Sequence, residues 1–191
     1  FILFLLMAYS LSAIRQPILV NLSCKDISRF VDGHNSRRLQ LAKGNVTGQP
    51  AASKMKSVVW DVELARMAAD WAKKEKYGHN RNRTLESGRF YVGENIYMAS
   101  TFNKNNVFDV DEALDAWFKE YKNYKFAPLT DSDFQKKGND QIGHYTQVRC
   151  LLFYKLSRQT MIIIVPYKRG LPSDRLQCGA NSCSKPYGPS C

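Results

Sequence analysis

Gly143-His144-Tyr145-Thr146-Gln147-Val148 is the stretch on which the fold turns. It sets a histidine at the head of a short segment, 144–148, which reads as the first of three strand-like pieces. The next two, 151–156 and 160–165, are apolar and β-branched or aromatic, and residues 157–159 join them as a hairpin. Upstream, Asp109 and Glu112 read as a capping box for a helix with Ala113, Leu114, Trp117, Tyr121 and Tyr124 on one side. Residues 91–99 alternate in the manner of a half-buried strand. Asp61 caps a helix whose stripe is Leu64, Ala65, Ala68, Trp71 and Ala72, with Gly78 as its end. Ile27, Phe30, Val31, His34, Arg38 and Leu41 fall at helical spacing, and Gly44 can stop that helix. Helices separated by isolated strands predict an α/β sandwich with the sheet between helical layers.

This order carries chemistry. Glu94 shares strand parity with Val92, Ile96 and Met98, so its carboxylate points to the apolar face. Glu120 lies three residues after Trp117 and four before Tyr124, bordering the aromatic stripe. A carboxylate facing a core needs a partner, because an unpaired buried charge is expensive. The chain has three histidines. His34 sits within an apolar stripe and reads as a core histidine. His79 follows Gly78, and His144 starts its strand-like segment. A pocket built from His79, Glu94, Glu120 and His144 satisfies all four groups, although periodicity alone does not bring them together.

Five segments together resemble the CAP family of cysteine-rich secretory and venom-allergen (antigen 5) proteins. Gly143 to Val148 is similar to the family's GHYTQ motif, and Gly93-Glu94-Asn95-Ile96-Tyr97 to its GEN strand. His34-Asn35-x-x-Arg38 resembles the first CAP helix. Trp60-Asp61-x-Glu63-Leu64-Ala65 with Trp71-Ala72 resembles the second, and Trp117-Phe118-x-Glu120-Tyr121-x-x-Tyr124 the third. The loop from Ala42-Lys43-Gly44 to Gly48-Gln49-Pro50-Ala51 looks like the venom-allergen branch. The resemblance covers residues 26–148 in the family's order. It implies a three-layer α-β-α sandwich with a central cleft, holding a tetrad of His79, His144, Glu94 and Glu120. It also implies zinc as a candidate cofactor, with His79 and His144 as its ligands, since imidazoles with nearby carboxylates suit that ion. Past Val148 the pattern breaks. Arg149-Cys150 stands where the family continues with Trp and a VGCG strand, and the run to Pro166 is short. Either the sheet is shortened in a diverged form, or a segment has been lost.

Of the 191 residues, 44% are hydrophobic and 24% charged, which excludes a disordered chain. Residues 1–12 begin with an uncharged apolar run and end in small residues, which predicts a secretory leader. That run falls short of the ~20 apolar residues a membrane span needs, and no transmembrane segment is expected. Residues 24–170 are expected to form the CAP domain and 171–191 a Cys-rich tail. Cys24, Cys150, Cys178, Cys183 and Cys191 make an odd count that leaves the pairing open, and the crowding of the last three reads as a small disulfide knot. Sequons at Asn21, Asn45 and Asn82 agree with a secretory route. The net charge of +11 draws the chain toward anionic lipid, acidic glycans or acidic channel mouths. No nucleic-acid module is present. On strand geometry Tyr145 faces away from His144, leaving Thr146 as the nearest hydroxyl and no clear nucleophile. The expected function is a secreted, monomeric, non-catalytic protein that binds an extracellular protein target or channel. Alternatives are a sterol or fatty-acid carrier, whose pocket the third helix and final hairpin would line, and a zinc-dependent hydrolase at the tetrad.

Overall fold

The structure is a computed structural model that describes residues 22–52, 55–74, 78–89, 92–97, 109–136, 138–152, 156–157, 159–161, 163–164, 173, 175–178, 184–189 and 191. The apolar run expected to be a leader, Asn21 and the stretch 165–170 lie outside the described residues.

Helix α1 spans Cys24–Lys43 and starts in a capping box absent from the periodicity reading. Ser23 Oγ accepts from Asp26 N, and Asp26 Oδ2 accepts from Ser23 N, so two of the orphan donors at the helix start are satisfied. Gly44 ends α1 as expected. Its φ of 77° is left-handed, Gly44 N donates to Leu41 O, and Asn45 N donates to Gln40 O. Helix α2, Val62–Ala72, is capped by Asp61, whose Oδ1 accepts from Glu63 N and Leu64 N at 3.0 Å. It stops at Ala72, six residues short of the expected Gly78. Gly78 O accepts instead from Trp71 Nε1. Helix α3, Val110–Lys119, begins at Asp109, which accepts from Asp111 N, while Glu112 is bonded by Tyr97 Oη. A 3-10 turn, Glu120–Asn123, prolongs it.

Gly143 to Val148 is helical. Helix α4 spans Gly143–Cys150, which corrects the strand expected over 144–148. Six residues with one β-branched pair carry no decisive period, and burial of Tyr145, Thr146, Gln147 and Val148 in succession hides the helical face. Within the strand expected over 91–99, the described residues 92–97 are extended as strand β1 at Glu94–Asn95 alone. Val92, Glu94, Asn95 and Ile96 are all buried, so both faces are covered.

The expected hairpin forms. Strands β2 (Leu151–Leu152) and β5 (Ile163–Ile164) pair antiparallel, as do β3 (Leu156–Ser157) and β4 (Gln159–Met161). Strand β1 adds to β4, with Glu94 opposite Met161 and Asn95 opposite Thr160. Helix α2 lies against β3 and β4, helix α4 against β1 and β5, and α1 packs on α3 and α4. Trp117, Tyr145, Phe30, Leu41, Met55, Leu64, Leu114 and Ile142 are the largest fully buried side chains.

Of the three crowded cysteines Cys183 lies outside the described residues, and the tail is tied back to the start of the domain. Cys191 is bonded to Cys24 at the start of α1, and Cys178 is also in a disulfide. Backbone bonds from Ser57 N to Gln177 O, Gln177 N to Met55 O and Trp60 N to Pro186 O sew the tail along residues 55–60.

Candidate functional site

Two buried carboxylates each hold one histidine. Glu94, delivered by β1, has a fully buried side chain, and its Oε1 lies 2.5 Å from His79 Nδ1. The same oxygen accepts from Asn80 N at 2.9 Å, so one carboxylate fixes both the ring and the backbone of the loop after Gly78. Among the described residues Glu94 Oε2 is buried without a hydrogen-bond partner. Glu120, at the junction of α3 and its 3-10 turn, places Oε1 2.6 Å from His144 Nδ1 and accepts from Tyr145 N at 3.1 Å through Oε2. The last bond ties Glu120 to the first turn of α4, where free backbone donors favour an acid.

An ionised carboxylate only accepts, so each Nδ1 carries the hydrogen of its pair. In the neutral imidazole this leaves Nε2 as the acceptor atom. The His79 side chain is 60% exposed and that of His144 23%, so the two rings differ in their access to solvent.

The structure thus makes two His–Glu pairs of the four predicted residues. Asn95 links them. It follows Glu94 on β1 and donates from Nδ2 to His144 O at 3.1 Å, bridging the strand of one pair to the helix of the other. Its place in Gly93-Glu94-Asn95 was visible, but nothing in the spacing assigned its amide to α4. Gln141, 3.5 Å from His144 Nδ1, was also missed. Among the described residues no three His, Cys, Asp or Glu side chains gather into a metal-binding group.

Trp117 walls the His144 side. Its ring stacks on His144 at 6.2 Å and on His34 at 6.4 Å, and Tyr97 meets it edge-on. His34 is fully buried, as its apolar stripe predicted. Burial, followed by the charges of Arg38 and Arg37, lowers its pKa to about 3 and keeps it neutral. Thr146 Oγ1 donates to Gly143 O at 2.9 Å inside its own helix, and Tyr145 is fully buried among Phe118, Tyr121 and Tyr124.

With this geometry in view, the chain belongs to the CAP family, the cysteine-rich secretory protein family, which it matches over residues 31–148. It resembles venom allergen 5.02 of Dolichovespula maculata, with 34% identity over 128 residues that cover 63% of this chain and 56% of that protein. Venom allergen 3 homolog of Dinoponera quadriceps is 36% identical over 124 residues, 60% of this chain and 50% of its own length. The chain therefore spans about half the length of these relatives. Among solved structures, the crystal structure of Na-ASP-1 superposes with a TM-score of 0.59 at 26% identity, covering 83% of this chain and 45% of that one. The crystal structure of NaASP2 with Zn2+ gives 0.57 at 25% identity, covering 78% of this chain and 87% of that one.

Proposed function

We propose that the chain is a secreted, non-catalytic recognition protein of the venom-allergen type that acts by binding an extracellular target. The observation that carries this reading is the placement of the Thr146 hydroxyl. Thr146 is buried and bonds into its own helix, where it is no partner for His144. Acyl transfer by a hydroxyl needs a base within hydrogen-bond reach of it. Each imidazole Nδ1 is instead engaged by a carboxylate, an arrangement that orders a loop and a helix. Exposed cations at Lys74, Arg81, Lys122 and Lys125, within a chain of net charge +11, favour an acidic partner surface. In this reading residues 24–170 form the domain, with the sheet between α2 on one side and α1, α3 and α4 on the other, and 171–191 form its tail. Incubation of the purified protein with a peptide library is expected to yield no cleavage. Turnover that vanishes in His144→Ala sinks the proposal.

A second reading is favoured by the tautomers. With both Nδ1 atoms donating to Glu94 and Glu120, the Nε2 atoms of His79 and His144 are the lone pairs a divalent ion such as zinc takes. The imidazoles fit that role, and the carboxylates are their orienting partners. When bound, the ion supplies Lewis-acid chemistry. Calorimetry with zinc on the wild type and on the His79→Ala/His144→Ala double variant tests it, and equal affinities overturn it.

A further inference from the structure

We propose that Asn82 is an N-glycosylation site whose oligosaccharide stands at the rim of the His79–Glu94 pair and limits access to His79. The inference rests on the secretory reading above. Asn82-Arg83-Thr84 is a complete sequon with both Asn82 and Thr84 exposed. Its position is fixed by a short relay of bonds. Asn82 Oδ1 accepts from Thr84 N at 3.3 Å, Asn80 Oδ1 accepts from Asn82 N at 3.1 Å, and Asn80 N donates to Glu94 Oε1 at 2.9 Å. Two successive Asx turns therefore anchor the sequon to the carboxylate that holds His79.

The same bonds leave the reacting atom free. Among the described residues Asn82 Nδ2 makes no hydrogen bond, while Oδ1 is the acceptor of the turn. In the transfer, Asn82 Nδ2 bonds to the anomeric carbon of an oligosaccharide carried on a polyprenyl pyrophosphate. The C1–O bond to the pyrophosphate breaks, the lipid pyrophosphate leaves with that electron pair, and the amide gives up one proton. The amide carbonyl survives, so the finished linkage keeps the turn intact. A solvated branched glycan three residues along the chain from His79 is then rooted beside a ring that is 60% exposed. His144, 23% exposed and walled by Trp117, is already screened by protein. Asn45-Val46-Thr47 offers an internal comparison. Asn45 and Thr47 are exposed in the turn after α1, with no bond from that turn to the His79 loop among the described residues.

The test expresses the full chain behind a cleavable secretion leader in mammalian cells, so that entry into the secretory lumen is imposed and the secretory reading is not itself at stake. Peptide mapping should find hexose-bearing glycan on Asn82, lost in both Asn82→Gln and Thr84→Ala. Diethyl pyrocarbonate should then label His79 severalfold faster in either variant than in the glycosylated protein, with His144 labelling unchanged. A secreted, folded protein with Asn82 unmodified overturns the site. Occupancy at Asn82 with equal His79 labelling in all three proteins overturns the shielding. Glycan confined to Asn45 overturns both.

Discussion

His34 is the residue whose environment makes the sharpest statement about stability. Its ring lies fully buried between Phe30 and Trp117, with a pKa lowered to about 3 by burial and by Arg38 and Arg37. The native state holds His34 neutral while the unfolded chain takes up a proton below its ordinary value of 6.5. Between those values the unfolded state binds more protons, so stability rises with pH and is lost as pH falls through 6.5 toward 3. Down to pH 5 most carboxylates remain ionised, and this term alone removes about 2 kcal/mol. Urea unfolding at pH 7 and pH 5 should show that drop in the wild type and a much smaller one in His34→Leu. Equal drops in both proteins defeat the argument. Glu63, held to a pKa of about 2 chiefly by hydrogen bonds from Ser87 and then by Arg89, keeps its charge throughout this window. The residue scale was also the most legible in sequence. His34 as a core group, Asp61 as a cap and Gly44 as a stop each follow from one side chain and its nearest backbone. The sequence marks Glu94 and Glu120 as acids facing a core, but parity does not say which histidine each one holds.

Elements were harder to read where burial covers more than one face. Helix α1 and helix α2 each bury one stripe, so their period survives in the sequence. Helix α4 and strand β1 are short and covered on several sides, so apolar and polar positions no longer alternate with their geometry. The α1–α3 contact shows what periodicity omits altogether. A Cβ added at Gly33 would stand 2.5 Å from Leu114 Cδ1, so the absence of a side chain lets the two helices approach. Arg29 to Asp109 and Asp111, and Arg37 to Asp115, flank the same contact. These pairs are partly exposed and contribute little individually. Gly33→Ala sets two effects against each other. Helix propensity gains ~1 kcal/mol, whereas overpacking against a fully buried Leu114 costs about 1–3 kcal/mol. Packing should win. Gly33→Ala is expected to lower the unfolding free energy, and Gly33→Ala/Leu114→Val to recover part of the loss. A stabilised single variant would show that the helices part freely.

At the scale of the whole molecule, the chain is closed near both ends of its described length. Cys24 and Cys191 are bonded across a sequence separation of 167. Gly188, at φ 90°, lets the backbone pass Trp60, where an added Cβ would lie 2.9 Å from Trp60 Cδ1. Tyr187 Oη donates to Asp32 on α1. The tail's hydrogen bonds contribute about 1 kcal/mol each at most, several of them exposed. Closing a loop of this length removes up to about 5 kcal/mol of unfolded-state entropy, so the disulfide is the larger effect. Replacing both partners avoids leaving a thiol free to exchange with the other cysteines. Cys24→Ser/Cys191→Ser should therefore lose roughly 2–5 kcal/mol and lower Tm by at least about 5 °C, with the domain still folded. Limited proteolysis should cut residues 184–189 faster in that variant, because the hydrogen bonds from Trp60 N to Pro186 O and from Tyr187 to Asp32 hold that segment less firmly than a covalent link. If Tm and the cleavage rate both match the wild type, the backbone bonds along residues 55–60 are what fasten the tail. In that case the pairing of Cys191 with Cys24 records proximity without contributing to stability.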